Sequence, residues 1–193
     1  MRVFLAGATG AIGRRLVPLL LRAGHEIFGT TRSADRAKEL ERAGVSPAVF
    51  DVFDAQAVMA AVEAARPEVM IHQLTDLPHE FDEAGIVASY ARNARIRRDG
   101  TRKLLTAARA ASPRRFIVQS IAFAYAPGGE PHAESDPLNL ADPRRAVTVK
   151  GGADMEHLAE ETRLHLQGAA RHDVVEGRHA LEQGDVLEGA GDA

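Results

Sequence analysis

Short apolar runs alternate along this chain with longer stretches whose apolar positions recur at helical spacing. Arg2 to Ala6, RVFLA, reads as a buried strand. From Ala11 to Arg22, Ile12, Leu16, Leu19 and Leu20 share one helical face, and Gly24 stands where a helix C-cap belongs. Pro18 interrupts that segment and, having no N–H, predicts a kink or a tolerated loss of one hydrogen bond. Glu26 to Thr30 reads as a second strand. Ser33 is placed to cap a helix to about Ala43, which Gly44 closes. Ala48 to Asp51 reads as a third strand, and Asp54 as the cap of a helix to about Ala65. Pro67 leads into EVMIHQL, the fourth strand. A long helical stretch from about Phe81 to Ala111 precedes RRFIVQS, the fifth.

Strands alternating with helices in this way predict an α/β fold, a doubly wound parallel sheet of Rossmann type. Residues 1–152 form the expected dinucleotide-binding domain, and 126–152 its Pro- and Gly-rich loop. Loops of that length are commonly lids or unstructured. Residues 153–166 read as a helix. The remainder, 167–193, has no aromatic residue and no convincing strand, and reads as poorly structured.

Composition narrows the function. The 193 residues are 45% apolar and carry a formal charge of -3, which gives no general attraction to nucleic acid or anionic membrane. There is no cysteine, so thiolate nucleophiles and Cys-based zinc sites are excluded. The opening apolar run is too short for a secretion signal, and no stretch approaches the ~18 apolar residues of a membrane helix. A soluble, cytoplasmic protein is the expectation. His165, His172 and His179 are spaced by seven, ~10 Å per step on a helix, too far to share a metal ion, so no metal site is expected. Arg95, Arg98 and Arg102 make a basic stripe that suits solvent or a second copy better than nucleic acid.

Between the first strand and helix lies LAGATGAIGRRL. Gly7 can supply a tight turn, Gly10 lets the backbone approach a pyrophosphate, and Gly13 lets the helix press on the sheet. Ala11 and Ile12 complete the loop, and the helix start offers free N–H groups and partial positive charge to phosphates. Thr9 adds a hydroxyl. No Gly-Lys-Ser/Thr follows, which argues against a P-loop. A sharp turn with no ligand is the plainer alternative. The second strand ends in FGTTRS, where an NAD site places an acid on the ribose; Arg32 there suits the 2′-phosphate of NADP(H). NADP(H) is therefore preferred and NAD(H) possible, a solvated arginine being the alternative reading.

FLAGATGAIGRRLVPLLLRAGHE, VFDVFD, VMIHQLT, RDGTRKLLTAARAA and RRFIVQSIAFAY occur in an order and spacing that resembles the extended short-chain dehydrogenase/reductases, closest to their NAD-dependent epimerase/dehydratase branch. The likeness covers about residues 1 to 160, with Ala6 in place of the first Thr of a TGxxGxxG signature. It implies Asp51 and Val52 at the adenine, and Gln73, Leu74 and Thr75 along the ribose and nicotinamide. Gly100 and Thr101 match the family's Gly-Thr on the long helix, where Gly100 would allow close packing near the cofactor, a tolerated helical glycine being the alternative. Ser120 and Lys150 would be the catalytic pair that orients the reacting oxygen of a small carbonyl or sugar-like substrate. A homodimer through helix 82–111 is also implied. Two departures stand out. The family's Tyr-x-x-x-Lys pair is missing: Ala146 lies four residues before Lys150, while Ala94 and Gly129 follow Tyr90 and Tyr125. The sixth strand and substrate lobe are missing too, which implies a truncated or frame-altered member with an open sheet edge. Two functions thus stay open, an oxidoreductase of this branch and a non-catalytic NADP(H)-binding or sensing module or inactive fragment.

Overall fold

In a computed structural model, residues 1–76, 83–119, 125–128 and 136–139 are described. Five strands, β1 (Arg2–Ala6), β2 (Glu26–Thr31), β3 (Ser46–Val49), β4 (Val69–His72) and β5 (Arg115–Val118), form one sheet in the order β3-β2-β1-β4-β5. Every pairing is parallel. The helices between them are α1 (Gly13–Arg22), α2 (Ala34–Arg42), α3 (Ala55–Ala65), α4 (Glu83–Arg95) and α5 (Thr101–Ala111).

Parallel strands covered on both faces should be largely apolar on both faces, as the centre of this sheet is. Phe4, Ala6, Met70, Phe116 and Val118 pack with Val58 and Val62 of α3 and Leu104 and Leu105 of α5. The alternate residues Val3, Leu5, Ile27, Val69 and Ile71 pack with Val17 and Leu20 of α1 and Leu40 of α2. Burying each such side chain is worth about 1.5–3 kcal/mol. The doubly wound sheet read from the alternation is thus the observed fold.

Helix ends follow their sequence signals. Ser33 Oγ accepts from the Arg36 amide, and Asp54 Oδ1 from the amides of Gln56 and Ala57. Gly24 and Gly44, both with positive φ, close α1 and α2 with the paired carbonyl bonds of a Schellman turn: Gly24 to Leu21 and His25 to Leu20, then Gly44 to Glu41 and Val45 to Leu40. Pro18 lies inside α1, which runs through it to Arg22.

Several expected boundaries are corrected. α1 starts at Gly13 instead of Ala11, because residues 8–12 are spent in the turn that carries the chain off β1. β3 runs Ser46–Val49 instead of Ala48–Asp51. It is the outer strand, so Pro47 sits within it opposite Gly29, with its missing donor on an edge. β4 and β5 are shorter than expected at both ends, and Gln73, Leu74 and Gln119 lie just beyond them. The single long helix is instead two, joined by a π-helical turn at Ile96–Gly100. Tyr125 and Leu138 form an isolated antiparallel bridge within the stretch read as a loop. Ser120, Ala146, Lys150, the helix at 153–166 and the tail at 167–193 lie outside the described residues.

Candidate functional site

β1 sends its chain to β2 on one side and has β4 on the other. That reversal opens a crevice beyond the carboxyl ends of β1 and β4, where open α/β sheets bind ligands. The glycine turn forms its floor. Gly7 has φ +95°, and a Cβ there would come 2.9 Å from the Gln73 carbonyl oxygen. A Cβ on Gly13 would collide with Gly7 O and fall 2.7 Å from the Ala8 carbonyl. Gly13 therefore packs on the turn itself, where the sequence reading had it pressing on the sheet. A Cβ on Gly10 would be 3.2 Å from Gly7 O, a tight but lesser contact. Gly10 N donates to Gly7 O at 3.0 Å and closes the turn.

The turn is pinned from β2. Gly7 N donates to Thr30 Oγ1 at 3.0 Å, while Thr31 Oγ1 accepts from Thr9 Oγ1 at 3.3 Å and from Ser33 N at 3.2 Å. Thr30 and Thr31 are buried. The Thr9 hydroxyl, read as a phosphate donor, is directed to Thr31 in this structure. Thr30→Val removes the acceptor and leaves Gly7 N–H unpaired. We expect it to lower stability by about 1–3 kcal/mol, as measured by urea denaturation, with weaker cofactor binding in proportion to the loosened turn.

Above the turn, α1 begins without a side-chain cap and without an acid in its first turn. The amides of Ala11, Ile12 and Gly13 make no hydrogen bond among the described residues. Ile12 is 46% exposed at this mouth, a large apolar residue facing solvent where a ligand would cover it. The arrangement is a concave run of N–H groups at a helix N-terminus, which suits a diphosphate. A nicotinamide dinucleotide fits it on the strength of the Gly7 and Gly13 cradle, which a side chain at either glycine would fill.

Other predicted residues ring the crevice with different partners. Arg32 leaves the end of β2 and lies 3.9 Å from Asp76, its side chain 69% exposed. Asp76 also pairs with Arg92 at 2.9 Å, and its backbone exchanges two hydrogen bonds with Asn93. Asp51 is exposed and accepts from the Phe53 amide; Val52 is buried against Gly100, where a Cβ would be 3.3 Å away. Gln73 N donates to Ala6 O, Leu74 packs on the core, and Thr75 is exposed. The basic stripe is exposed but engaged within the chain: Arg95 stacks 3.9 Å from the Phe53 ring centroid, and Arg98 pairs with Asp99 at 2.9 Å. The Arg98 hydrogen bond, with the nearby arginine charges, holds the Asp99 carboxyl below its ordinary pKa.

Sequence reasoning missed the residues beneath the crevice. His72 ends β4 fully buried, its Nε2 3.0 Å from Thr101 Oγ1 and its Nδ1 accepting from Leu74 N at 3.2 Å. That pattern puts the proton on Nε2. Burial, followed by the charge of Arg97, lowers the His72 pKa to about 4. The one signal was a histidine inside an otherwise apolar strand. Asp76 and Asn93 carried no local signal.

Fold and crevice together define a dinucleotide-binding Rossmann protein. The chain belongs to the NAD(P)H-binding family, whose model matches residues 7–165. It is 46% identical, over 167 residues, to a 3-diazoavenalumate denitrifying reductase of a Streptomyces species; the match covers 85% of this chain and 53% of that protein. The fold is also that of two UDP-glucose 4-epimerases. One is from Thermus thermophilus, in complex with NAD (TM-score 0.66, 24% identity, 83% of this chain and 50% of that one). The other is from Thermotoga maritima (TM-score 0.68, 20% identity, 84% and 52%). The family is thus one described by NAD(P)H binding, and the likeness to the two epimerases is a likeness of fold. The chain spans about half the length of the relatives it matches. No helix among the described residues is long and apolar enough to cross a membrane.

Proposed function

We propose that this chain is the cofactor-holding part of a reductase that binds NADP(H) in preference to NAD(H). Its substrate would be a small electrophile, a carbonyl or diazo compound. The observation that carries this reading is the Gly7–Gly13 cradle, locked to Thr30 and opening beneath the unpaired amides of α1. The 46% identity to a reductase supports reduction over epimerisation.

When bound, the nicotinamide supplies a hydride. The chain's own residues bind and orient: α1 amides face the diphosphate, Arg32 the ribose 2′-phosphate, and Gln73 to Thr75 the ribose and nicotinamide side. Ser120 and Lys150 remain the candidates to hold the reacting group. Within these 193 residues no tyrosine stands four before a lysine, so this chain offers no phenol for proton transfer in the usual family position. Hydride delivery to an aryl-diazonium ion forms one C–H bond, breaks the C–N bond and releases N2, so it creates no alkoxide and needs no proton from the chain. A second reading, a non-catalytic NADP(H)-binding module, is favoured by Ala146 at the position of the family tyrosine.

Fluorescence titration with NADPH and NADH, followed by NADPH consumption against carbonyl and aryl-diazonium panels, separates the readings. Turnover supports the reductase; tight binding with no turnover on either panel supports the binding module. Arg32→Ala should weaken NADPH about tenfold and leave NADH unchanged, because the guanidinium meets only the extra phosphate. Asp76→Asn removes the carboxylate that competes for Arg32 and should strengthen NADPH binding severalfold. Equal losses for both cofactors in the arginine variant remove the NADP(H) assignment.

A further inference from the structure

Three buried side-chain atoms have no hydrogen-bond partner among the described residues: Gln73 Oε1, Gln119 Oε1 and Arg97 Nη1. All three residues lie at the same end of the sheet. Gln73 and Gln119 directly follow β4 and β5, and Gln119 N donates to the carbonyl of His72. Arg97 lies in the π-helical turn, four residues before Thr101, whose hydroxyl meets His72 at the end of β4. A π-helical turn inside a helix often marks a functional position, since the extra residue redirects side chains.

Arg97 is the exceptional member. A guanidinium keeps its charge and presents five N–H donors, so burying it without an anion is costly. Yet Arg97 is 8% exposed and makes no ion pair among the described residues. The neighbouring arginines are treated differently. Arg32 and Arg92 share Asp76, while Arg95 and Arg98 share Asp99. These four exposed arginines thus have acids, and the buried one has none among the described residues. Its buried neighbour His72 is neutral and cannot balance it.

We propose that Arg97 binds an oxyanion carried by the substrate, a carboxylate, which enters at the carboxyl ends of β4 and β5. A planar guanidinium takes a carboxylate through two parallel hydrogen bonds, and burial strengthens such a pair. The unpaired Gln73 and Gln119 oxygens stand ready to accept from donors elsewhere on the same ligand. The diphosphate of the cofactor already has the amides of the glycine turn, so the anion at Arg97 is a second one. This inference rests on the reading of the crevice as a nicotinamide site.

The test uses the full chain, with benzoate and cinnamate as probes and their amides as uncharged controls. Binding is followed by calorimetry and thermal shift, with and without NADPH. The carboxylates should bind and raise the melting temperature, and the amides should not. Arg97→Met should lose at least about tenfold in carboxylate affinity while keeping NADPH affinity within about twofold. Without ligand it should melt no lower than the wild type, because an unpaired buried charge has been removed. Should that variant fail to fold, Arg97→Lys keeps the charge without the planar fork and should also bind carboxylate more weakly. Carboxylates that bind wild type and variant equally, or do not bind at all, overturn the proposal. So does a variant that loses only NADPH affinity, which would assign the anion to a cofactor phosphate. A wild type that takes cinnamate through Arg97 but not NADPH overturns the cofactor reading alone.

Discussion

Gly13→Ala is expected to weaken NAD(P)H binding by at least about a hundredfold, roughly 3 kcal/mol. The added methyl would run into Gly7 O and stand 2.7 Å from Ala8 C and O. These are backbone atoms and cannot rotate away. Either the Gly7–Ala8 peptide retreats and strains the Gly7 N to Thr30 hydrogen bond, or the start of α1 lifts off the turn. Both movements pull apart the amides that face the diphosphate. Gly10→Ala should be milder, since its methyl meets only Gly7 O at 3.2 Å. Gly24→Ala is the control. It has φ +75° and nothing within 4 Å, so it loses only the left-handed preference, about 1 kcal/mol of stability, and binding is unchanged. Titration of the three folded variants with NADPH should give that order. If Gly13→Ala binds like Gly24→Ala, the glycine turn is not the dinucleotide site.

The fold was legible because its signals are local and mutually consistent. Ser33, Asp54, Gly24 and Gly44 each mark a helix end through one short-range hydrogen bond or one positive φ. The two-faced burial of β1 is written in Val3, Phe4, Leu5 and Ala6, with no polar residue among them. The errors fall where tertiary context decides. Nothing in Ser46-Pro47 announces a strand, and only the edge position makes that proline harmless. The π-helical turn is likewise silent, because nothing in Ile96, Arg97, Arg98 and Asp99 breaks a helix. Gly100 is the one hint there, and its reason is the side chain of Val52, more than forty residues earlier.

The site was half legible for the same reason. A strand, a glycine turn and a helix are contiguous in sequence, so Gly7, Gly10 and Gly13 could be read together. The partners that hold the turn come from β2, and those that shape the crevice come from β4, α4 and the π-helical turn. Thr30 bonds across 23 residues, Asp76 and Asn93 across 17, and His72 and Thr101 across 29. Polar residues at such separations carry no periodicity. Arg97 is the sharpest case. In sequence it is one of several arginines along a helix, and only burial separates it from Arg95 and Arg98.

The buried His72 predicts a specific acid sensitivity. In the folded chain Nδ1 accepts from Leu74 N and Nε2 faces Thr101, so both ring nitrogens are satisfied with the ring neutral. A second proton would point a donor at the Leu74 amide and add charge beside Arg97 in a dry environment. Burial first, and Arg97 second, lower the folded pKa to about 4 from an ordinary 6.5. The unfolded chain therefore takes up a proton as pH falls through 6.5, while the folded chain refuses it until pH 4. Above pH 6.5 the residue makes stability neither rise nor fall with pH. Between 6.5 and 4 it erodes stability progressively, by about 3 kcal/mol in all, and below 4 the loss levels off. His72→Gln cannot titrate. It should be less stable than the wild type at pH 7.5, because the ring's two hydrogen bonds and its packing are disturbed, but this portion of the acid loss should vanish. Urea denaturation of both proteins from pH 7.5 to 4 measures the difference. The two stability curves should converge as pH falls; parallel curves would mean that His72 takes up its proton in the folded chain as readily as in the unfolded one.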